Sequence, residues 1–383
     1  MLRFLTAGES HGPGLVTIVE GLPSGLEVSR ERIATELARR RMGAGRGRRM
    51  AVEQDELEIL GGIRFGRTLG GPVAVVIRNT EWPKWVDEMS PDPGESQRPL
   101  TTPRPGHADL AGMQKYDTHD ARDILERSSA RETAARTVAG VLAKIYLEEI
   151  GISVLSHVLA IGGVSVSNDD YPGPDVLDRI DASPVRTLDK DAEAGMLAEI
   201  ARAHEERDTL GGIIEVVVHG APAGIGSHVH WDRKLDGLLA GAVMSIPAIK
   251  GVEIGDAAAV AAARGSSAHD EIDHDGAEFT RGTNRAGGLE GGITNGEPVI
   301  VRAMMKPLST LMRPLRSVDV INKEAAEAFR ERSDVCSVPA AGVVAEQMVA
   351  FVIAAEVSRM LGGDTISDVR DSMSRYRNRL EHF

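Results

Sequence analysis

The stretch RETAARTVAGVLAKIYLEEI, residues 131–150, decides the architecture. Ala134, Val138, Val141, Leu142, Ile145 and Ile150 recur at helical spacing on one side, and Gly151 stands where a left-handed cap would end the helix. The pattern predicts a buried central helix. Ala340 to Leu361, dense in Ala, Val and Met, predicts a second, followed by a charged terminal helix ending at Phe383. Around these, Leu15 to Val19 reads as a strand, Pro72 to Ile77 belongs to a β-rich stretch, and strands are expected at 153–161, 213–219 and 298–304. Ser29 can cap a helix running through Arg39 with Ile33 and Leu37 one turn apart on its inner face, and Asp189 to Asp208 reads as one amphipathic helix. The Pro-rich, acidic segment from Trp82 to Pro105 is too aromatic for a plain linker, so an ordered surface excursion is expected. Strands and helices do not alternate as a βαβ array would, which favours α+β over a doubly wound sheet.

With 383 residues, 42% of them hydrophobic, the chain can bury a large core, and its 3% aromatic content means that Ala, Val, Ile and Leu must build it. The single cysteine, Cys336, excludes an internal disulfide and makes the cytoplasm the expected location. No signal peptide is indicated, and no apolar run of about 18 residues is read that would point to a membrane.

Against a net charge of -13, six arginines crowd between positions 39 and 49: Arg39, Arg40, Arg41, Arg46, Arg48 and Arg49, interleaved with Gly43, Gly45 and Gly47. Either this is a solvated helix end running into a glycine linker, or the loop closes over a small polyanion. The acidic balance and the 13 aromatic residues argue against nucleic acid as that polyanion.

Four motifs fall outside the predicted elements. Gly8-Glu9-Ser10-His11-Gly12 precedes the first strand; its adjacent Ser and His point apart, so His11 is either structural or an acid or phosphate contact rather than half of a nucleophile pair. In Arg104-Pro105-Gly106-His107-Ala108-Asp109 a turn presents His107 beside a carboxylate able to orient it. Arg127-Ser128-Ser129-Ala130-Arg131-Glu132-Thr133 is either a phosphate seat at a helix N-terminus or an ordinary capping box with Ser129 as the cap and Glu132 reaching back. Asn284 to Gly292, followed by Lys306-Pro307-Leu308-Ser309-Thr310 and by Arg332-Ser333-Asp334, is either a surface loop or a place where backbone approaches a flat ligand. No Walker or Rossmann glycine pattern occurs. His228 and His230 around Val229 in an expected strand, and the run His269 to Asp275, imitate metal sites without the required geometry, so no metal is expected.

Taken in order and spacing, these motifs resemble those of chorismate synthase, over residues 1 to about 360. The resemblance implies one domain over residues 1–383, a helical core layer sandwiched between antiparallel β-sheets, and a homotetramer. It implies elimination of phosphate from 5-enolpyruvylshikimate 3-phosphate to give chorismate, with reduced FMN required and NADPH open as the reductant. Neither nucleic acid nor membrane is implied as a partner. By resemblance, His11, His107 and Asp334 are catalytic, and Ser10, Arg40, Arg46, Arg49, Arg104 and Arg131 meet substrate or NADP. Arg127, Ser128, Ser129, Ala130, Pro247, Ala248, Gly291, Lys306, Pro307, Leu308, Ser309, Thr310 and Arg332 correspond to the flavin contacts, with Pro247 replacing a polar amide of relatives. A non-catalytic binder of phosphorylated metabolites would use the same arginines and glycines.

Overall fold

The computed structural model describes residues 2–47, 55–167, 171–276, 279–331 and 333–383, so Arg49 and Arg332 lie outside the described residues. One antiparallel sheet has the order β1 (Arg3–Ala7), β2 (Gly14–Glu20), β4 (Val73–Arg78), β3 (Glu56–Gly61). The other has the order β7 (Ile249–Ile254), β8 (Val299–Met305), β6 (Gly212–His219), β5 (Ser153–Ile161), with a two-residue strand, Val164–Ser165, at its edge. Between the sheets lies a helical layer. Helix α4 (Thr133–Glu148) packs on the first sheet, α7 (Val338–Leu361) on β5 and β6, and the two pack on each other beside α1 (Arg30–Arg41) and α6 (Leu235–Met244). Shorter or more peripheral are α2 (Asp109–Tyr116), α3 (Arg122–Ser128), α5 (Lys190–Glu206) and α8 (Ile366–Glu381). The fold is α+β, as expected from the mixed order of elements.

The caps follow the local chemistry. Ser29 Oγ accepts from the Arg32 N–H at 3.0 Å, Asp189 caps α5 through the N–H groups of Asp191 and Ala192, and Gly151 takes φ 73° just beyond α4. Within α4 every residue from Thr133 to Leu147 except Arg136 is buried, as a helix enclosed on all sides requires. Helices α4 and α7 approach closely at Gly140, where a Cβ would stand 2.2 Å from Gln347 Cβ, so only glycine lets the helices touch there. Helix α7 corrects the reading that no apolar run was long enough to span a membrane. It is, but 89% of its most apolar window is buried inside the molecule, where it serves as the second core helix.

The same layer encloses charge. Arg39 of α1 meets Glu346 of α7 at 2.7 Å and Asp181 at 2.7 Å; Lys144 of α4 meets Glu36 at 2.9 Å and Glu346 at 2.5 Å. Ser156 Oγ and Gln347 Nε2 donate to Glu346 and Glu36, and Arg186 pairs with Asp181. Burial would push the Glu346 carboxyl up, but Arg39 and Lys144 more than reverse it and hold it far below the carboxylate range. Burial and the Arg39 charge together bring the Arg186 guanidinium down to about 10.

The layer also holds a buried hydroxyl outside this network. The Tyr146 hydroxyl has no hydrogen-bond partner among the described residues, and burial pushes its pKa up to about 12. Tyr146→Phe should therefore leave stability unchanged or raise it by up to about 1 kcal/mol in urea unfolding; a larger loss would mean that the hydroxyl is bonded.

One expectation is corrected. Residues 228–230 form bends, not a strand, and His230 turns to Asp232 at 2.7 Å on the surface, because this stretch has no neighbouring strand to pair with. Segment 82–105 contains one 3-10 turn, Trp82–Lys84, and is otherwise turns and bends, yet Trp85 is turned inward.

Candidate active site

The loop between β1 and β2 is clamped from two sides. Gly8 adopts φ 102°, and a Cβ there would lie 2.2 Å from the Gly14 carbonyl. Asn79, just past β4, donates to the carbonyls of Gly12 at 2.7 Å and of Glu9 and Ser10 at 3.3 Å, while the Ser10 N–H bonds the Glu126 carbonyl of α3 at 3.0 Å. This pulls His11 inside, to 8% exposure. Its Nδ1 lies 2.8 Å from Glu126 Oε1, its backbone N–H donates to Oε2 at 2.8 Å, and Arg122 Nη1 donates to Oε1 at 3.0 Å. Burial raises the Glu126 pKa, but the bonds and charge of His11, with Arg122, outweigh it and keep the carboxyl below its ordinary value. Ser129 Oγ donates to Ser10 Oγ at 3.2 Å, joining this loop to the turn before α4.

Around the second histidine the constraint is local. His107 Nδ1 lies 2.5 Å from Asp109 Oδ1, and Arg104 donates to both Asp109 oxygens at 2.8 and 3.0 Å. Nδ1 is thereby committed to the carboxylate, and Nε2, with Arg104 Nη2 at 3.4 Å, is the nitrogen left to meet a ligand. Asp109 is fully buried; burial opposes its ionisation, yet His107 and Arg104 bring its pKa to about 2 from 3.8. A depressed carboxyl contributes stability above its unfolded pKa and loses it as pH falls through the folded one. The contribution, about 2 kcal/mol at neutral pH, should fade between pH 3.8 and about 2. Thermal unfolding at neutral pH and in this acid window checks it: the wild type should lose more stability on acidification than Asp109→Asn.

The same turn is stitched to residues 306–310. Arg104 Nη1 donates to Thr310 Oγ1 at 2.9 Å, Ser309 Oγ donates to the Gly106 carbonyl at 2.8 Å, and Lys306 Nζ donates to Ser309 Oγ at 2.9 Å. The Lys306 N–H bonds the carbonyl of Ala248, whose φ is 70°. Burial first, and the charge of Lys250 second, lower the Lys306 pKa. The Lys306 ammonium and the Arg104 guanidinium, each bonded to a hydroxyl, form a donor set suited to a phosphate.

Of the six crowded arginines, those described separate by direction. Arg39 enters the core network and Arg41 faces Asp55 at 3.6 Å, whereas Arg40 bonds Thr133 Oγ1 at 3.4 Å and Arg46 meets Asp334 at 2.6 Å. Asp334 also accepts from the Gly47 N–H at 2.7 Å and from Ser337 Oγ at 2.7 Å. Gly45, at φ 82°, lies so close to Cys336 that a Cβ would stand 2.9 Å from the Cys336 Cβ. The segment from Phe329 to Asp334 links the three groups: Arg104 stacks over Phe329 at 4.5 Å, Arg122 reaches Glu331 at 3.5 Å, and Asp334 holds Arg46.

The remaining expected residues are placed unevenly. Arg127 ties Thr6 of the first strand and Gly8 just past it, Ser128 Oγ donates back to the Ile124 carbonyl, and Arg131 bonds Asp55 at 2.6 Å and Asn79 at 3.1 Å. Ser129 caps the turn Ala130–Glu132, but Glu132 does not complete a capping box: it accepts from Thr6 at 3.0 Å and Arg136 at 2.8 Å, because β1 lies alongside. Pro247 is half-buried before β7, Pro307 is exposed, and the Leu308 carbonyl accepts from Thr209 Oγ1 at 2.8 Å. Gly291 is exposed on a short hairpin that packs against Gly226 and Lys234. Sequence reading missed Glu126, Arg122, Trp85, Asn79, Asp55, Lys250 and Ser337. The Arg122/Glu126 spacing of four was the one available signal, and such pairs usually mark solvated helix faces. Among the described residues no group of three His, Cys, Asp or Glu side chains is placed to hold a metal ion.

A family model described as chorismate synthase matches residues 2–357. The chain is 57% identical to the chorismate synthase of Salinispora tropica over 389 aligned positions, covering 99% of each chain. It is 56% identical to that of Saccharopolyspora erythraea, covering 98% of this chain and 96% of the other. A crystal structure of chorismate synthase superposes with a TM-score of 0.81 at 39% identity, over 100% of this chain and 99% of that one. A family match along nearly the whole length, carried on the same sandwich of helices between sheets, establishes that this chain belongs to the chorismate synthase family.

Proposed function

We propose that the groups gathered around His11, His107 and Asp334 carry out the family's reaction in this chain. That reaction, the last shared step of the shikimate pathway to aromatic amino acids, is the anti-1,4-elimination of phosphate from 5-enolpyruvylshikimate 3-phosphate to give chorismate, and the enzyme is a carbon–oxygen lyase. The observation that carries the assignment of residues is the stitching of the turn that bears His107 to residues 306–310, through Arg104 to Thr310, Ser309 to the Gly106 carbonyl and Lys306 to Ser309, a donor set with the chemistry of a phosphate seat.

In this reading Ser10, Arg40, Arg46, Arg49, Arg104 and Arg131 hold the substrate's phosphate and carboxylates. Arg127, Ser128, Ser129, Ala130, Pro247, Ala248, Gly291, Lys306, Pro307, Leu308, Ser309, Thr310 and Arg332 hold FMN, for which the amine and hydroxyl donors at 306–310 fit the phosphate end. Reduced flavin, when bound, supplies the electron density that loss of phosphate beside an unactivated C–H bond requires. His107 donates from Nε2 to the departing phosphate, whose C–O electron pair leaves with it. His11 provides the second acid. Asp334, held by Arg46, Ser337 and Gly47, is the carboxylate that finally receives the ring proton, while the C–H electron pair stays in the new diene. No net oxidation results.

Anaerobic mixing of the protein with substrate and dithionite-reduced FMN should release chorismate and phosphate. A binder would return the substrate unchanged, and that outcome rejects the reading. Comparing NADPH plus FMN with photoreduced FMN alone identifies whether NADPH is the reductant. We further take residues 1–383 as one domain, place it in the cytoplasm with its buried thiol, and assign a homotetramer. Leu5 and Ile18, paired on the outer face of the first sheet, are 69% and 40% exposed and suit burial against a second copy. Light scattering gives the mass.

A further inference from the structure

Both histidines sit in the same order of groups. At His107 the series is Phe329, Arg104, Asp109, imidazole; at His11 it is Trp85, Arg122, Glu126, imidazole. In each, an aromatic ring backs an arginine, with 4.5 and 4.9 Å from guanidinium to ring centre, and the arginine and imidazole share one buried carboxylate. The two differ in what meets the imidazole besides the carboxylate: at His107 it is Arg104 Nη2, 3.1 Å from Nδ1, and at His11 it is an aromatic face. Trp85 also lies on the His11 imidazole, 4.0 Å between ring centres and tilted by 34°. The His11 ring is therefore held in its plane by Glu126 and on its face by Trp85.

We propose that Glu126 and Trp85 are positioning residues for His11, fixing Nδ1 on the carboxylate and the ring beneath the indole so that Nε2 alone faces the reacting atoms. The geometry supports this from both directions. Glu126 uses both oxygens on the histidine, one for Nδ1 and one for the backbone N–H, so ring and loop are registered by the same carboxylate. Arg122 satisfies the remaining acceptor capacity of Oε1 and is itself sandwiched against Trp85, so a shift of the indole is transmitted to the carboxylate. Trp85 comes from the irregular segment after Trp82–Lys84, and its enclosure of His11 gives that excursion a function that its sequence did not show. A carboxylate that fixes one imidazole nitrogen determines which tautomer and which nitrogen act.

The inference rests on the reading that His11 takes part in the reaction, and the test separates the two. Turnover and KM are measured for His11→Ala, Glu126→Gln, Trp85→Leu, and the doubles with His11→Ala, each with its unfolding temperature. Glu126→Gln is expected to lower kcat roughly 10-fold or more and Trp85→Leu a few-fold to about 10-fold, with substrate KM little changed. In the His11→Ala background neither should lower kcat further, because residues acting through one group are not additive. If both variants reduce kcat by the same factor with His11 absent, they support the fold only and the proposal fails. If His11→Ala falls but both single variants turn over like the wild type, the proposal fails while the role of His11 stands. Wild-type turnover in His11→Ala removes the underlying reading instead. Trp85 is half-exposed, so Trp85→Leu keeps the test open should Glu126→Gln not fold.

Discussion

His107→Ala is expected to lower turnover by roughly 10- to 10,000-fold, the range for a positioned proton donor, while FMN affinity stays within a few-fold of wild type. The imidazole is held at Nδ1 by a fully buried carboxylate, with Arg104 beside Nε2, on a turn that Ser309 and Thr310 bind through Gly106 and Arg104. Removing it leaves that donor set in place, since Arg104 still bonds Asp109 and Thr310. Single-turnover assays with photoreduced FMN separate chemistry from binding; unchanged turnover would remove His107 from the mechanism. Loss of FMN binding with loss of turnover would instead make the histidine part of the seat.

The second large effect concerns stability. Glu346→Ala is expected to cost about 3–5 kcal/mol, because it leaves Arg39 and Lys144 facing each other in the core with one fewer carboxylate. Glu346 is fully buried and bonds Arg39, Lys144 and Ser156, three elements of the helical layer and second sheet. Urea unfolding at fixed protein concentration measures it. A loss below about 1 kcal/mol would show that the network relaxes or admits water, as surface ion pairs do. Because Arg39 precedes Arg40 on α1, the same variant should also weaken substrate binding through the arginine loop, visible as a raised KM in the folded fraction.

How much of this was legible depends on range along the chain. His107 and Asp109 are two residues apart, and a Pro-Gly turn brings them together by local chemistry alone, so their partnership could be read directly. His11 and Glu126 are 115 residues apart, and nothing near either one announces the other. Asp334 was marked by its motif, but its bond to Arg46 crosses 288 positions and exists because Gly45 packs on Cys336. The capping-box reading failed for a similar reason. Ser129 obeyed the local rule, while Glu132 was drawn to Arg136 one turn on in α4 and to Thr6 on a strand far away in sequence.

By itself the sequence determined the two apolar helices, the capped helices, most strands and, through ordered motifs, the family. These depend on periodicity and on short-range backbone geometry, which operate before any distant contact forms. Only the tertiary structure decided where equivalent charges would go. Arg39 and Arg40 are adjacent and chemically identical, yet a helix turns about 100° per residue, so one points into the core between α1, α4 and α7 and the other toward Thr133. Which of two neighbouring guanidiniums joins the core network and which turns to Thr133 is set by what packs on each side of the helix, and that is a property of the assembled layers.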